Sequence, residues 1–146
     1  MLKLGLGIAW DAKEISIPIR QIQLAEELGF DSVWCAEAYG SDAITPLAYI
    51  AGQTKKIRLG TSIAQVAART PASCAMQFNT LDMLAGRGRA ICGLGLSGPQ
   101  IVEGWYGQPW GKPYYRMRDY IQIMKKIFSR KEHVVHEGTE MSLPLS

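Results

Sequence analysis

The chain has 146 residues, enough for one domain with a real core and too few for two ordinary ones. Its 47% hydrophobic and 20% charged residues have the balance of a globular protein in water, and no apolar run approaches the ~18 residues of a membrane span. A net charge of +3 gives no case for a nucleic-acid partner. The clusters Lys55, Lys56 and Arg58, then Arg87 and Arg89, then Lys125, Lys126, Arg130 and Lys131 are expected at helix ends and on solvated helix faces, since no aromatic platform is interleaved with them.

The start, Met1-Leu2-Lys3-Leu4-Gly5, lacks the basic, apolar and small-residue regions of a signal peptide, so a cytoplasmic location is expected. Cys35, Cys74 and Cys92 have no metal-type spacing and are expected as buried reduced thiols.

Leu2 to Ala9 reads as a strand, followed by a loop around Trp10 and Asp11. A helix from about Ile17 to Leu28 follows, with Ser16 as its cap, Pro18 in its first turn and Gly29 at its stop. Ser32 to Ala36 is a short, continuous apolar strand of the kind buried on both faces. Thr45-Pro46 gives a cap followed by proline for a helix running to about Gln53. Ile57 to Ile63 is the third strand, and Thr70-Pro71 opens a helix that ends at Gly86. Arg89 to Leu96 is the fourth strand. A loop rich in Gly, Pro and Trp leads to a helix from about Tyr115 to Ser129, whose apolar stripe is Met117, Tyr120, Ile121, Met124, Ile127 and Phe128. The tail from Glu132 to Ser146 reads as a short edge hairpin.

Strand starts near residues 2, 32, 57 and 89 match the ~30-residue strand–helix unit of a parallel sheet. A doubly wound sheet and successive units of a barrel both satisfy this pattern.

Gly93-Leu94-Gly95-Leu96-Ser97-Gly98 fits the dinucleotide fingerprint G-x-G-x-x-G after a strand. The fingerprint requires the last glycine to open a helix, whereas Pro99 and Gln100 read as leading into a loop with no helix before about Tyr115. It also requires an acidic residue ~20 positions on, which is missing. Small residues that let a flat ring approach the strand fit better. Glu37 follows the second strand, on the carboxyl edge where α/β proteins hold their sites, and is either a ligand contact or proton donor, or an edge carboxylate paired with a cation. His133 and His136 have no third ligand near them and read as part of a surface hairpin. The aromatic loop Glu103 to Pro113 reads equally well as a pocket wall or as a clasp on the rim.

Taken together, Gly29-Phe30-Asp31-Ser32-Val33-Trp34, Ile57-Arg58-Leu59-Gly60-Thr61-Ser62-Ile63 and Gly93 to Gly98 resemble the luciferase-like monooxygenase family. Glu103-Gly104-Trp105 and Gly111-Lys112-Pro113, continuing into Arg118-Asp119-Tyr120, extend the likeness, which points to the branch of deazaflavin (coenzyme F420)-dependent oxidoreductases. The resemblance covers essentially the whole chain. It implies an α/β fold, a partial TIM (β/α)8 barrel of about four consecutive βα units. Residues 1–146 then make a single luciferase-like domain, the amino-terminal half of a barrel that takes about 250 residues when complete.

The implied activity is hydride transfer between F420 and a small organic substrate, with an FMN-dependent monooxygenase and a non-catalytic half-barrel or assembly unit as alternatives. The implied cofactor contacts are Ser62, Ile63, Leu96, Ser97 and Gly98, with the Ser62–Ile63 peptide expected to be cis. Trp10, Tyr39 and Arg69 are expected on the substrate side. Some relatives carry an acid followed by histidine at the second strand's end. Here the pair is Glu37-Ala38, which leaves Glu37 as the candidate for proton transfer. No metal is implied. Four strands leave two open edges, so a homo-oligomer or aggregation is expected, with two copies able to close an eight-stranded barrel.

Overall fold

The computed structural model describes residues 2–9 and 13–144. In chain order the elements are β1 (Gly5–Ile8), α1 (Ile19–Glu27), β2 (Ser32–Cys35), α2 (Ile44–Ala51), β3 (Arg58–Thr61), β4 (Ala64–Gln65), a 3-10 turn (Val66–Ala68), α3 (Pro71–Leu84), β5 (Ala90–Ile91), β6 (Leu94–Gly95), α4 (Pro99–Val102), α5 (Pro113–Ser129), β7 (His136–Glu137) and β8 (Ser142–Leu143). The chain divides into two compact units, residues 1–64 with 78–95, and residues 65–77 with 96–146.

The first unit holds a four-stranded parallel sheet in the order β1-β2-β3-β5. Each strand lies beside the one before it, and the order never reverses. A doubly wound sheet would turn back at a switch point, whereas sequential winding in one direction is the path of a barrel. Strand order therefore decides between the two architectures that periodicity leaves open.

Alternation along the strands sorts their side chains. Val33, Cys35, Leu59 and Thr61 are all buried, and α2 adds the buried Leu47 and Ile50. On the other face Gly7, Trp34 and Gly60 lie level in the register. The missing side chain at Gly60 leaves room for the Trp34 indole, whose Nε1 donates to Ser32 Oγ at 2.9 Å.

Side chains tie the amino ends of the strands to the helices. Glu26 accepts from the amides of Lys55, Lys56 and Ile57. Burial pushes its carboxyl up, but the three amides outweigh this and hold it below its ordinary value. Asp82 accepts from the amides of Gly88, Arg89 and Ala90. Asp31 pairs with Arg58.

Arg89, expected on a solvated face, is instead 7% exposed. Its guanidinium donates to the carbonyls of Ile57 (3.0 Å), Thr54 (3.1 Å) and Ala85 (2.8 Å) and to Thr54 Oγ1 (2.5 Å). Thr54 and Ala85 lie just beyond α2 and α3, so one planar cation satisfies carbonyls that the helix ends leave open.

Helix starts differ from the expected ones in a consistent way. α2 begins at Ile44, and Asp42 rather than Thr45 caps it, accepting from the Ile44 and Thr45 amides at 2.8 and 2.7 Å. α1 starts at Ile19 with Pro18 at its cap and no capping bond from Ser16. For α3 the expected cap holds, with Thr70 Oγ1 accepting from the Ser73 amide at 3.2 Å. The fourth strand is interrupted: Ala90–Ile91 pairs with β3, and Leu94–Gly95 forms a separate short strand.

In the second unit, α5 buries Asp119, Tyr120, Ile123 and Met124, whereas Ile121 and Phe128 of the expected stripe are exposed. The tail does form an antiparallel hairpin, β7 with β8. His136 is not a surface residue, however: it is buried, with Nε2 3.4 Å from Asp119 Oδ1. Asp119 Oδ2 accepts from the Glu140 and Met141 amides at 2.8 and 3.2 Å, so one carboxylate docks the hairpin on α5.

Burial pushes the Asp119 carboxyl up, but the two amides and His136 outweigh it and hold it below the ordinary carboxylate value. A lowered folded pKa stabilises the fold above the unfolded value, and the contribution is lost as pH falls through the folded one. Acid unfolding is therefore expected to begin with the hairpin below about pH 4. Asp119→Ala should cost about 2–3 kcal/mol at neutral pH, read by urea unfolding, and should flatten that acid limb.

Candidate active site

The register aligns the carboxyl ends of the strands. Ile8 sits opposite Cys35, and Cys35 opposite Thr61. The residues that follow, Ala36–Glu37 and Ser62–Ile63, together with Cys92–Gly93 after β5, make up the carboxyl edge of the sheet. In barrels this edge carries the chemistry.

The end of β3 is built closely. Ser62 N–H donates to Cys35 O at 2.8 Å, and the Ser62–Ile63 peptide is cis, as expected. Thr61 Oγ1 donates to Gly93 O at 2.7 Å and accepts from Gly93 N at 3.0 Å, while Ala64 N–H donates to the same Gly93 carbonyl at 2.8 Å. A side chain at Gly93 would run into the Thr61 carbonyl oxygen, and one at Gly95 into the Ile63 side chain. Close approach to the end of β3 thus accounts for the first two glycines of the fingerprint. Ser62 is left exposed and Ile63 half-buried.

Glu37 is 6% exposed. Burial pushes the neighbouring Cys35 thiol up to about 12, and the carboxylates of Asp42 and Glu37 add to the effect. Cys35 itself therefore stays a protonated thiol at neutral pH. Tyr39 is exposed beyond it. Cys92 is exposed, against the expectation of a buried thiol, because β5 stops at Ile91. Trp10 lies outside the described residues.

The second unit contains the other expected site residues. Gln65 is buried, and its Oε1 accepts from Ser97 Oγ at 2.7 Å. Arg69 Nη1 donates to the Gln65 carbonyl at 3.2 Å. Ser97 has a φ of 56°, in the left-handed region, and is exposed; Leu96 and Gly98 are half-buried. Contrary to the expected loop, Gly98 is followed at once by the one-turn helix α4. The aromatic loop after it folds on itself: Glu103 accepts from the Trp110 amide at 3.1 Å, and Arg116 donates to Pro109 O at 2.5 Å. Sequence reasoning did not reach Gln65 or the role of Thr61, since a single glutamine or threonine after a strand carries no motif. Among the described residues no group of three or more metal-ligating side chains is found, and no helix is long and apolar enough to cross a membrane.

Residues 11–145 match the family model of the luciferase-like monooxygenases. The chain belongs to the luciferase-like monooxygenase family. It is 49% identical over 146 residues to a Mycobacterium tuberculosis protein provisionally named a coenzyme F420-dependent oxidoreductase, covering 99% of this chain and 42% of that protein. Among solved structures, the coenzyme F420-dependent tetrahydromethanopterin reductase of Methanopyrus kandleri is similar with a TM-score of 0.75 and 25% identity, over 93% of this chain and 42% of that one.

The oxygenating constituent of 3,6-diketocamphane monooxygenase from Pseudomonas putida, in complex with FMN, has a TM-score of 0.79 over 97% of this chain and 43% of its own. At 22% identity it shares the fold alone. The chain thus spans under half the length of these luciferase-like relatives.

Proposed function

We propose that this luciferase-like chain is part of an oxidoreductase that transfers a hydride between deazaflavin F420 and a small organic substrate. The observation that carries this reading is the carboxyl edge of the sheet. There Gly93 and Gly95 lie side-chain-free against Thr61 and Ile63, and Ser62 is left accessible at the end of β3. The 49% identity to the mycobacterial F420-named protein favours the deazaflavin over FMN.

F420, when bound, supplies a ring that gives or takes the hydride, and the protein's part is orientation and exclusion of water. Ser62 and Ile63 are proposed to back the ring. Leu96, Ser97 and Gly98 are proposed as further cofactor contacts, carried by the family resemblance. Glu37 is proposed to hold or move a proton. Tyr39 and Arg69 are proposed to face the substrate. A cytoplasmic location is proposed as well. Pairing of two copies through their open sheet edges is also proposed, and a monodisperse monomer in sedimentation would remove it.

The test is a titration of the purified chain with F420, followed by cofactor fluorescence, in parallel with FMN. Saturable binding of F420 with a weaker response to FMN is expected. Tighter FMN binding, with oxygen uptake once the flavin is reduced, would select the monooxygenase reading. Binding of neither would overturn the proposal and favour a non-catalytic assembly unit.

A further inference from the structure

We infer that Gln65 is a positioning residue for the cofactor, acting through Ser97. The inference rests on the proposed function, in which Ser97 contacts the ring, and adds to it a residue outside the segments that carry the family resemblance.

Gln65 is 4% exposed, which is deep for an amide, and buried amides are retained where their hydrogen bonds are made. Its Oε1 accepts a hydrogen bond from the Ser97 hydroxyl at 2.7 Å. Ser97 is exposed and holds a φ of 56°, a conformation that non-glycine residues adopt only when their surroundings enforce it. The Gln65 side chain is a tether that can do so: it reaches across 32 positions of sequence and fixes both the hydroxyl and the backbone that carries it. Gln65 is itself anchored, because its carbonyl accepts from Arg69 Nη1 at 3.2 Å, four residues further on.

The direction of the bond has a chemical consequence. A serine hydroxyl has one proton and two acceptor lone pairs. With the proton committed to Gln65, Ser97 offers a ligand only acceptor capacity. The group it recognises is therefore a donor: a ring N–H or a hydroxyl of the cofactor, and not a carbonyl or a phosphate.

Gln65→Leu removes the acceptor and leaves a shorter apolar side chain, and Gln65→Glu keeps the acceptor. By fluorescence titration, Gln65→Leu is expected to bind F420 about five- to tenfold more weakly than the unchanged chain, the size of one net hydrogen bond. Gln65→Glu should recover most of that loss. In a Ser97→Ala background Gln65→Leu should add nothing, because the path through Ser97 is already cut.

A structural role alone would give an additive loss in that background, and this would overturn the inference, as would unchanged binding by Gln65→Leu. Equal loss in Gln65→Leu and Gln65→Glu would overturn the assignment of Gln65 as acceptor. If the unchanged chain binds neither F420 nor FMN, the proposed function fails. Hydrogen exchange at the Ser97 and Gly98 amides then tests the tether by itself: faster exchange in Gln65→Leu is expected, and unchanged exchange would contradict it.

Discussion

Arg89→Met is expected to lower the stability of the parallel-sheet unit by about 3–5 kcal/mol, a large share of what a small domain has. Methionine replaces the stem but none of the donors. The carbonyls of Ile57, Thr54 and Ala85, together with Thr54 Oγ1, all lose the group that now serves them. Each buried acceptor left unserved costs about 1–3 kcal/mol before relaxation. Arg89→Lys should recover only part, since an ammonium cannot span acceptors that a planar fork reaches together. Urea unfolding of Arg89→Met beside Arg87→Met checks this. Arg87 is exposed, and its replacement should stay within about 0.5 kcal/mol. Equal effects at the two positions would refute the role given to Arg89.

Gly93→Ala is expected to cost less stability and more function. The added methyl meets the Thr61 carbonyl oxygen, a backbone atom that cannot swing aside. Overpacking of this kind costs about 1–3 kcal/mol. The strain falls on the pair of hydrogen bonds between Thr61 Oγ1 and Gly93, at the strand end where the ring is proposed to sit. Displacement there should weaken F420 binding about ten- to a hundredfold. Gly7→Ala is the matched control, because a side chain there meets nothing, and it should bind as the unchanged chain does. Loss of binding in both variants would mean that glycine matters here for a reason other than the approach to Thr61.

Much of the fold was legible because strand and helix signals were strong and local. The four parallel strands, the cap at Thr70 and the terminal hairpin all sit where hydrophobic runs, a cap-proline pair and a Gly turn place them. The direction of winding was not legible, since sequential and reversed strand orders share one period.

Two of the errors share a cause. Arg89 and His136 are charged or titratable residues whose partners are backbone groups or side chains distant in sequence. Composition sends such residues to the surface, and only the folded chain shows the carbonyls around Arg89 and the Asp119 carboxylate beside His136. In the same way the glycine fingerprint identified a close approach but not its partner. Thr61 and Ile63 supply that partner, from a strand some thirty residues earlier. Of the proposed site residues, Glu37 and Ser62–Ile63 could be named from the sequence, whereas Gln65 could not, because the role proposed for it rests on its contact with Ser97.

The central claim is that function sits on the carboxyl edge of the sheet, while the amino edge serves stability. Backbone amide NMR of the chain during addition of F420 tests this most directly. Shifts confined to Glu37, Ser62, Ile63 and the segment from Gly93 to Gly98, with Glu26, Asp82 and Arg89 unmoved, are predicted. Shifts centred on Glu26, Asp82 and Arg89, or none at saturating F420, would contradict the account.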